Sequence, residues 1–517
     1  MKNKLLFSKQ DIEQMRELKI SPHLVRKQIL LYKNKRKKLH LNRECEIGDG
    51  IYRSSSSQKK KLIQYYEQSE KKNKIVKFVP ASGAASRMFA EWYNLAQQKD
   101  PVSSYEKTAF LRDLRKMPFY PLFEKDEKTR KLLKQNNIKQ LLKYILTHEG
   151  LNFADKPKAL ILFHRYSDND MRTPLEEHLY EAGRYCKNIC RVHFTISPEH
   201  RKSINEKINE VKKRYEKQHN LKYKVELSFQ SSATNIIAVD YYNKPLRDRD
   251  GKLVFRPGGH GALLDNLNKF DADLIFIKNI DNIIPERLCD KIIPYKKMLG
   301  GLALQTRDQI FDILKRMEKE KINEEQIELI TEYCRDKINI VFPPEYYDSP
   351  SQKRQKLIFS LLNRPLRVCA MVRNTGEPGG GPFWVEENNK TQTLQIVESA
   401  HVNKNNASQM KIWSRAKYFN PVDIACCTKN YKGKKFDLKK YVNKETFLIT
   451  SKTEKGRSIK VQEMPGLWNG SMYYWNTIFI ELPLITFNPV KIVYDLLRAQ
   501  HQKNIKLNHK AFAIFFG

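Results

Sequence analysis

The sequence predicts an α/β protein with a mixed, mostly parallel sheet flanked by helices. Three observations predict it. Apolar runs of strand length recur along the chain, and helical stretches separate them, which is the pattern of βαβ layering. The 517 residues are 40% hydrophobic and 11% aromatic, enough for a sizeable core. A chain of that length suggests about two to four structural units.

The elements follow in order. Residues 8–40 read as helical, with Ser8 as N-cap and Ile12, Met15, Leu18, then Val25, Ile29 and Leu30 at helical spacing. The basic run KNKRKK (residues 33–38) reads as a solvated helix end, and SSSSQKKK (residues 54–61) as a polar connector. IVKFVP, from Ile75, is a short buried strand entering a turn of small residues. Residues 88–150 are helical and charged. From Lys158 the pattern alternates: ALILFH strand, TPLEEHLYEAGRYC helix, VHFTIS strand, a helix over residues 199–218, then YKVELSFQ, another strand. LIFIKNID, VCAMV and IFIELPLITF supply more strands. From about Tyr418 the aromatic and β-branched content points to an α+β subdomain. The expected organisation is an N-terminal helical region over 1–70, a central domain over 71–415 with a helical insertion at 88–156, and a C-terminal part over 416–517.

The formal charge of +37 points to anionic partners. The lysines are spread along the chain, which fits a Lys-rich proteome better than a clustered nucleic-acid footprint. No RRM, KH or zinc-finger pattern is present, so a basic nucleic-acid-binding protein is the lower-ranked, non-enzymatic alternative. The eight cysteines form no CxxC pair and no zinc ladder, which argues for a reducing compartment and against a structural metal. The apolar run in the first residues is too short for a signal peptide, and no stretch reaches the roughly 18 apolar residues of a membrane span. The expectation is a soluble cytoplasmic protein with no membrane partner.

Five stretches can carry chemistry. In FVPASGAASRMFAEW (residues 78–92) a strand feeds a small-residue turn whose amides can approach a phosphate, with Arg87 to pair with its oxygens; the bland alternative is close strand–helix packing. Lys158 precedes an apolar run and can reach a polyphosphate from a sheet edge, or it is simply solvated. RPGGHGALLDNLNKFDADLIFIKNIDN (residues 256–282) joins a glycine-rich turn to an apolar strand. Gly258, Gly259 and Gly261 permit close backbone approach, and His260 either donates to a ligand or is satisfied by the backbone. Asp281, at the carboxyl end of the strand, suits Mg²⁺ or else caps the next helix. In residues 374–398 the successive glycines Gly379, Gly380 and Gly381, followed by Phe383-Trp384, suit a loop closing over a ligand with an aromatic wall, and Glu398 can accept from hydroxyls. In residues 467–502 Asn476 starts a strand and Lys491 follows Pro489-Val490.

Together these motifs resemble the UDP-sugar pyrophosphorylases, nucleotidyltransferases of the GT-A-like, Rossmann-like nucleotide-binding fold, and over nearly the whole chain the sequence is similar to the bacterial DUF4301 family. The family's GxGT-R loop resembles Gly83-Ala84-Ala85-Ser86-Arg87, preceded by Ser82, with Ala85 in place of the second glycine. Its Pro-Lys resembles Pro157-Lys158, with residues 88–156 inserted between loop and lysine. The PxGHG base contact resembles Pro257-Gly258-Gly259-His260-Gly261 with one residue added. The strand ending in Asn-Val-Asp-Asn resembles Asn279-Ile280-Asp281-Asn282. Pro489-Val490-Lys491, followed by Asp495, resembles PVKTTSDLL.

The resemblance implies catalytic roles for Arg87, Lys158 and Lys491, and nucleotide contacts from Ser82 to Ser86, Gln230 and Pro257 to Gly261. It implies sugar contacts from Glu377, Gly380, Glu398 and Asn476, with the 416–517 part completing the sugar and phosphate side, and Asp281 as ligand of Mg²⁺. The implied activity joins a nucleoside triphosphate, with UTP favoured, to a sugar-1-phosphate and releases pyrophosphate. The alternatives are a glycosyltransferase consuming a nucleotide sugar and a degenerate nucleotide binder.

Overall fold

The computed structural model describes residues 7–33, 38–377, 379–454 and 457–503, so most of the KNKRKK run (residues 34–37) lies outside the described residues. Two compact units emerge, each gathered from three stretches of chain. The first is Met1–Ser55, Gln230–Leu274 and Leu302–Glu481; the second is Ser56–Phe229, Ile275–Gly301 and Leu482–Gly517. No helix among the described residues is long and apolar enough to cross a membrane.

In the second unit the strands lie in the order Leu274–Lys278, Ile75–Pro80, Ile189–Ile196, Lys222–Phe229. The last three pair in parallel. Ile75–Pro80, Leu274–Lys278 and most of Ile189–Ile196 are buried, as a sheet covered on both faces requires, whereas Lys222–Phe229 is largely half-buried or exposed. The helix Pro174–Gly183 is capped by Thr173, which exchanges hydrogen bonds with Glu176, and all ten of its residues are buried. It carries Glu176, Glu177, His178 and Glu181 inside, so each must find a partner there.

Residues 88–156 hold the helices Ala90–Gln97, Ser104–Leu114, Tyr120–Lys125, Glu127–Lys134 and Ile138–Leu146. Ser103, Asp126 and Asn137 cap three of them. Their inner faces enclose an aromatic core of Phe89, Trp92, Phe119, Phe123 and Phe153, which Val490 and Val493 also join.

Two expectations are corrected in this unit. ALILFH is not a strand. Lys158–Leu160 is a 3-10 turn, and only His164–Arg165 pairs, in a two-residue ladder with Met171–Arg172. The segment still buries Ala159, Ile161 and Phe163, so its period-2 pattern reflects an extended chain on a core with no neighbouring strand. SSSSQKKK is not a connector throughout, because the helix Ser56–Ser69 begins within it. Leu62 and Tyr66 anchor that helix; a Cβ at Gly301 would come within 2.0 Å of the Leu62 carbonyl oxygen.

In the first unit the strands run Glu46–Ile47, Gly50–Tyr52, Asn476–Glu481, Leu366–Arg373, Asp423–Cys427. The first three pairings are parallel and the last antiparallel. A separate antiparallel sheet joins Leu41–Glu44, Gly381–Glu386 and Gln392–Val397. The part beyond residue 416, where an α+β subdomain is expected, contributes strands, 3-10 turns and the hairpin of Leu448–Glu454 with Arg457–Glu463. The amino-terminal helices Lys9–Glu17 and Pro22–Lys33 pack Met15, Val25 and Ile29 with Ile237 and Val239. The protein is thus a mixed α/β chain whose main strand pairings are mostly parallel.

Candidate functional site

In the second unit the small-residue loop leaves the carboxyl end of Ile75–Pro80. The insertion that separates it from Lys158 in sequence brings the chain back to it. The Ala85 amide donates to the Lys156 carbonyl at 3.0 Å, and the Lys158 amide donates to the Gly83 carbonyl at 3.1 Å. The amides of Gly83, Ala84 and Ser86 have no backbone acceptor among the described residues. A Cβ at Gly83 would meet nothing within 4 Å, so open space lies over the loop. Ala85 is fully buried in the insertion core beside Met88, so its methyl group faces inward and leaves that space clear. Ser82 fixes the far end of the loop, its carbonyl accepting from the Ser197 hydroxyl at 3.0 Å. Ser86 and Arg87 are exposed.

Asp281 follows the strand Leu274–Lys278. It does not cap the next helix, which begins five residues later at Glu286. Its Oδ2 accepts from Lys158 Nζ and from Lys491 Nζ, each at 3.1 Å. Its Oδ1 is buried and has no hydrogen-bond partner. Burial alone would raise this carboxyl group, but the two ammonium groups outweigh it and hold the pKa below the ordinary value. Burial depresses the Lys158 ammonium, which Asp281 supports. Lys491 is placed by backbone contacts: the Val490 amide donates to the Asp281 carbonyl at 3.0 Å, and Asp495 Oδ2 accepts from the amides of Lys491 and Ile492. Loop, Pro157-Lys158, Asp281 and Lys491 therefore meet within one unit.

Beneath Asp281 lies a polar layer that motif reading missed. His178 Nε2 donates to the Asn279 carbonyl at 3.1 Å and approaches the Ile280 carbonyl at 3.3 Å, fixing the peptides that present Asp281. Lys278 and Lys77 both reach Glu181 Oε2, at 2.8 and 3.3 Å, and Lys77 also donates to the His178 carbonyl. Burial lowers the Lys77 ammonium to about 8 despite Glu181. The signal was available: a lysine stands inside each of two apolar strands, and four ionisable residues sit on one helix. A charge in such a strand demands a buried partner.

The first unit holds the remaining candidates. Gly258, Gly259 and Gly261 lie against residues 463–466, and each has a structural reason to be glycine. A Cβ on Gly258 would sit 2.7 Å from the Thr234 carbonyl, one on Gly261 2.1 Å from the Pro465 carbonyl, and Gly259 has φ +73°. The Leu467 amide donates to His260 Nδ1 at 3.0 Å, and the ring stacks on Trp468 with centroids 4.1 Å apart. Burial lowers the His260 pKa while Glu398 and Glu463 oppose it. The ring is thus a neutral tautomer with its proton on Nε2, which has no protein acceptor among the described residues. Of the two readings of His260, the backbone one is met at Nδ1, where the Leu467 amide donates.

Glu398 accepts from Asn469 Nδ2 at 2.7 Å. Gln230 Nε2 is buried without a partner. Gly380 is buried against Ile396, while Pro257 is exposed and Glu377 half-buried. Asn476 donates its side-chain amide to the Leu362 carbonyl at 3.2 Å and lines a cavity of about 440 Å³ with Glu387, Tyr473 and Trp475. Glu377, Gly380 and Glu398 do not line that cavity.

Among the described residues no group of three His, Cys, Asp or Glu is placed to hold a metal ion. Asp281 alone fits one in a different way: Mg²⁺ takes one or two protein carboxylates and shares phosphate oxygens, and Oδ1 is an unpartnered oxygen.

No curated protein matches the sequence. Among solved structures, the uridine diphosphate N-acetylglucosamine pyrophosphorylase of Trypanosoma brucei is similar at 12% identity and TM-score 0.45, covering 92% of this chain and 74% of that one. The UDP-glucose pyrophosphorylase of Leishmania major is similar at 12% identity and TM-score 0.42, covering 94% and 77%. The family model described as "Domain of unknown function (DUF4301)" matches residues 8–502, and the chain belongs to that family.

Proposed function

We propose that the protein is a nucleotidyltransferase that couples a nucleoside triphosphate, UTP by preference, to a sugar-1-phosphate and releases pyrophosphate. The observation that carries this reading is the convergence on Asp281. Lys158 and Lys491 each lie 3.1 Å from one carboxylate oxygen, and the Lys158 backbone is hydrogen-bonded to a loop with unpaired amides. Amide donors, two ammonium groups and the exposed guanidinium of Arg87 form a set suited to a polyphosphate.

The chemistry needs little covalent help from protein. A sugar-phosphate oxygen bonds to the α-phosphorus as the bond from that phosphorus to the pyrophosphate oxygen breaks in line. Loop amides hold the phosphates in place, while Lys158, Lys491 and Arg87 balance charge that shifts onto the leaving pyrophosphate. Mg²⁺, when bound at Asp281, supplies further neutralisation of the phosphate oxygens. The inward Ala85 methyl group supports an intact loop over a degenerate one. The motif resemblance gives the base to Gly258 through Gly261, where His260 Nε2–H is a ready donor, and the sugar to Glu398.

The test is to incubate the protein with Mg²⁺, each nucleoside triphosphate and a panel of sugar-1-phosphates, following pyrophosphate. Release that depends on both substrates supports the reading. No turnover with any pair, together with no nucleotide binding by calorimetry, refutes it. Sugar transfer from a nucleotide sugar without pyrophosphate release would select the glycosyltransferase instead.

A further inference from the structure

The second unit has a cavity of about 290 Å³ lined by Arg115, Lys116, Arg165, His501, Gln502 and Lys503, together with one proline. None of these residues belongs to the Asp281 group. Four of them are cationic and none is acidic. Arg165 has Asp168 as its partner, and that exposed carboxylate is the counter-charge near the rim. Arg287 adds a cation behind the wall, donating to the carbonyls of Ala499, Gln500 and Gln502.

His501 is 4% exposed, and its Nε2 is buried with no hydrogen-bond partner. Its Nδ1 meets His164 Nε2 at 2.9 Å, and His164 Nδ1 meets Glu177 Oε1 at 2.8 Å. Tyr166 donates to the same Glu177 oxygen. Burial raises the Glu177 carboxyl to about 8, against the pull of Arg172, and lowers His164 to about 3. At neutral pH Glu177 is therefore an acid that donates to His164 Nδ1. The proton order that follows is His164 Nε2–H to His501 Nδ1, leaving His501 Nε2–H as a donor. An unsatisfied buried donor is costly, and an anion in this cavity is a partner the protein itself does not supply.

We propose that this cavity is a second binding site, for a small phosphate-bearing anion, formed by Arg115, Lys116, Arg165 and Lys503 around His501. The two guanidinium groups in the lining favour a phosphate, which accepts several hydrogen bonds at once. This goes beyond the nucleotidyl-transfer reading and does not depend on it.

The experiment titrates inorganic phosphate and, separately, pyrophosphate into the full chain by calorimetry, using wild type, R115Q/K116Q and K158Q/K491Q. Arg115 and Lys116 are exposed, so their double variant keeps the fold, which a melting curve checks. The expected result is a binding event weakened about tenfold or more in R115Q/K116Q, the scale of a lost charge-assisted contact, and retained in K158Q/K491Q. The tighter of the two anions identifies the source. In protein carrying ¹⁵N-histidine, the His501 Nε2 signal should shift on addition of that anion. No binding at millimolar concentration, no event that is weakened in R115Q/K116Q and kept in K158Q/K491Q, or an unmoved His501 signal overturns the proposal.

Discussion

Lys158 Nζ and Asp281 Oδ2 are 3.1 Å apart although 123 positions separate them in sequence. Lys491, a further 210 positions beyond Asp281, reaches the same oxygen. One carboxylate therefore restrains two ammonium groups that would otherwise repel each other at short range.

Removing that carboxylate gives opposite effects on chemistry and on anion affinity. Asp281→Ala should lower pyrophosphate release about 100-fold or more, the scale of a lost electrostatic contact to the transition state. Without Mg²⁺ the same variant should bind nucleotide triphosphate more tightly than wild type, because Lys158 and Lys491 no longer spend their charge on Asp281. Pyrophosphate assays and calorimetry in chelator check the two halves.

Glycines at the two ends of the motif set should differ in kind. Gly83→Ala places its methyl group in open space, so the fold should hold while nucleotide affinity falls. Gly261→Ala drives a methyl group to 2.1 Å from the Pro465 carbonyl, so it should destabilise the first unit and yield less folded protein. Melting curves beside nucleotide titrations separate the outcomes.

Glu177 gives a pH dependence of definite sign. Its folded pKa is raised from 4.5 to about 8, so the folded state binds the extra proton across that interval. The resulting stability is fully present below the unfolded value and is lost as pH rises through the folded one. Glu177→Gln keeps the shape, and its amide can still donate to His164. Relative to wild type the variant should gain stability progressively from pH 4.5 to 8, reaching about 5 kcal/mol by linkage. Urea unfolding at the two pH values, monitored at the first transition, measures it. Arg172, Glu286 and Asp170 also influence Glu177, so their titration belongs in the fit.

The insertion carries its own core. Phe119 is fully buried, and its ring meets Phe89, Trp92, Phe123 and Phe153. Phe119→Ala should cost about 3–5 kcal/mol. Because the insertion returns the chain to Gly83, transfer activity should fall along with the melting temperature.

Much of this was legible in sequence because the signals were local. Ile75–Pro80, Ile189–Ile196 and Leu274–Lys278 announced themselves as short apolar runs, and Ser8 announced the first helix as its N-cap. The motif order also named Lys158, Asp281 and Lys491, which the fold brings together. Less was legible where a residue's surroundings come from far along the chain. ALILFH alternates like a strand, yet Ile161 and Phe163 face a helical core with no partner strand beside them. Ser56–Ser69 begins in serines that read as a linker, and Leu62 and Tyr66 hold it in place through contacts made over 200 residues away in sequence. His178 was hidden for the same reason, since nothing in TPLEEHLYEAG says which carbonyls its ring will meet.

The excursion through residues 88–156 starts and finishes at one bridge, Ala84 against Pro157. Its length is then uncoupled from the position of Lys158, as loop-closure cost grows only slowly with length. Nature or an engineer can lengthen, shorten or exchange that module without re-aiming the lysine, provided the closing bridge survives and the face toward Val490 and Val493 stays apolar. The outer turns of the module are accordingly the place to graft a reporter that senses the occupied loop.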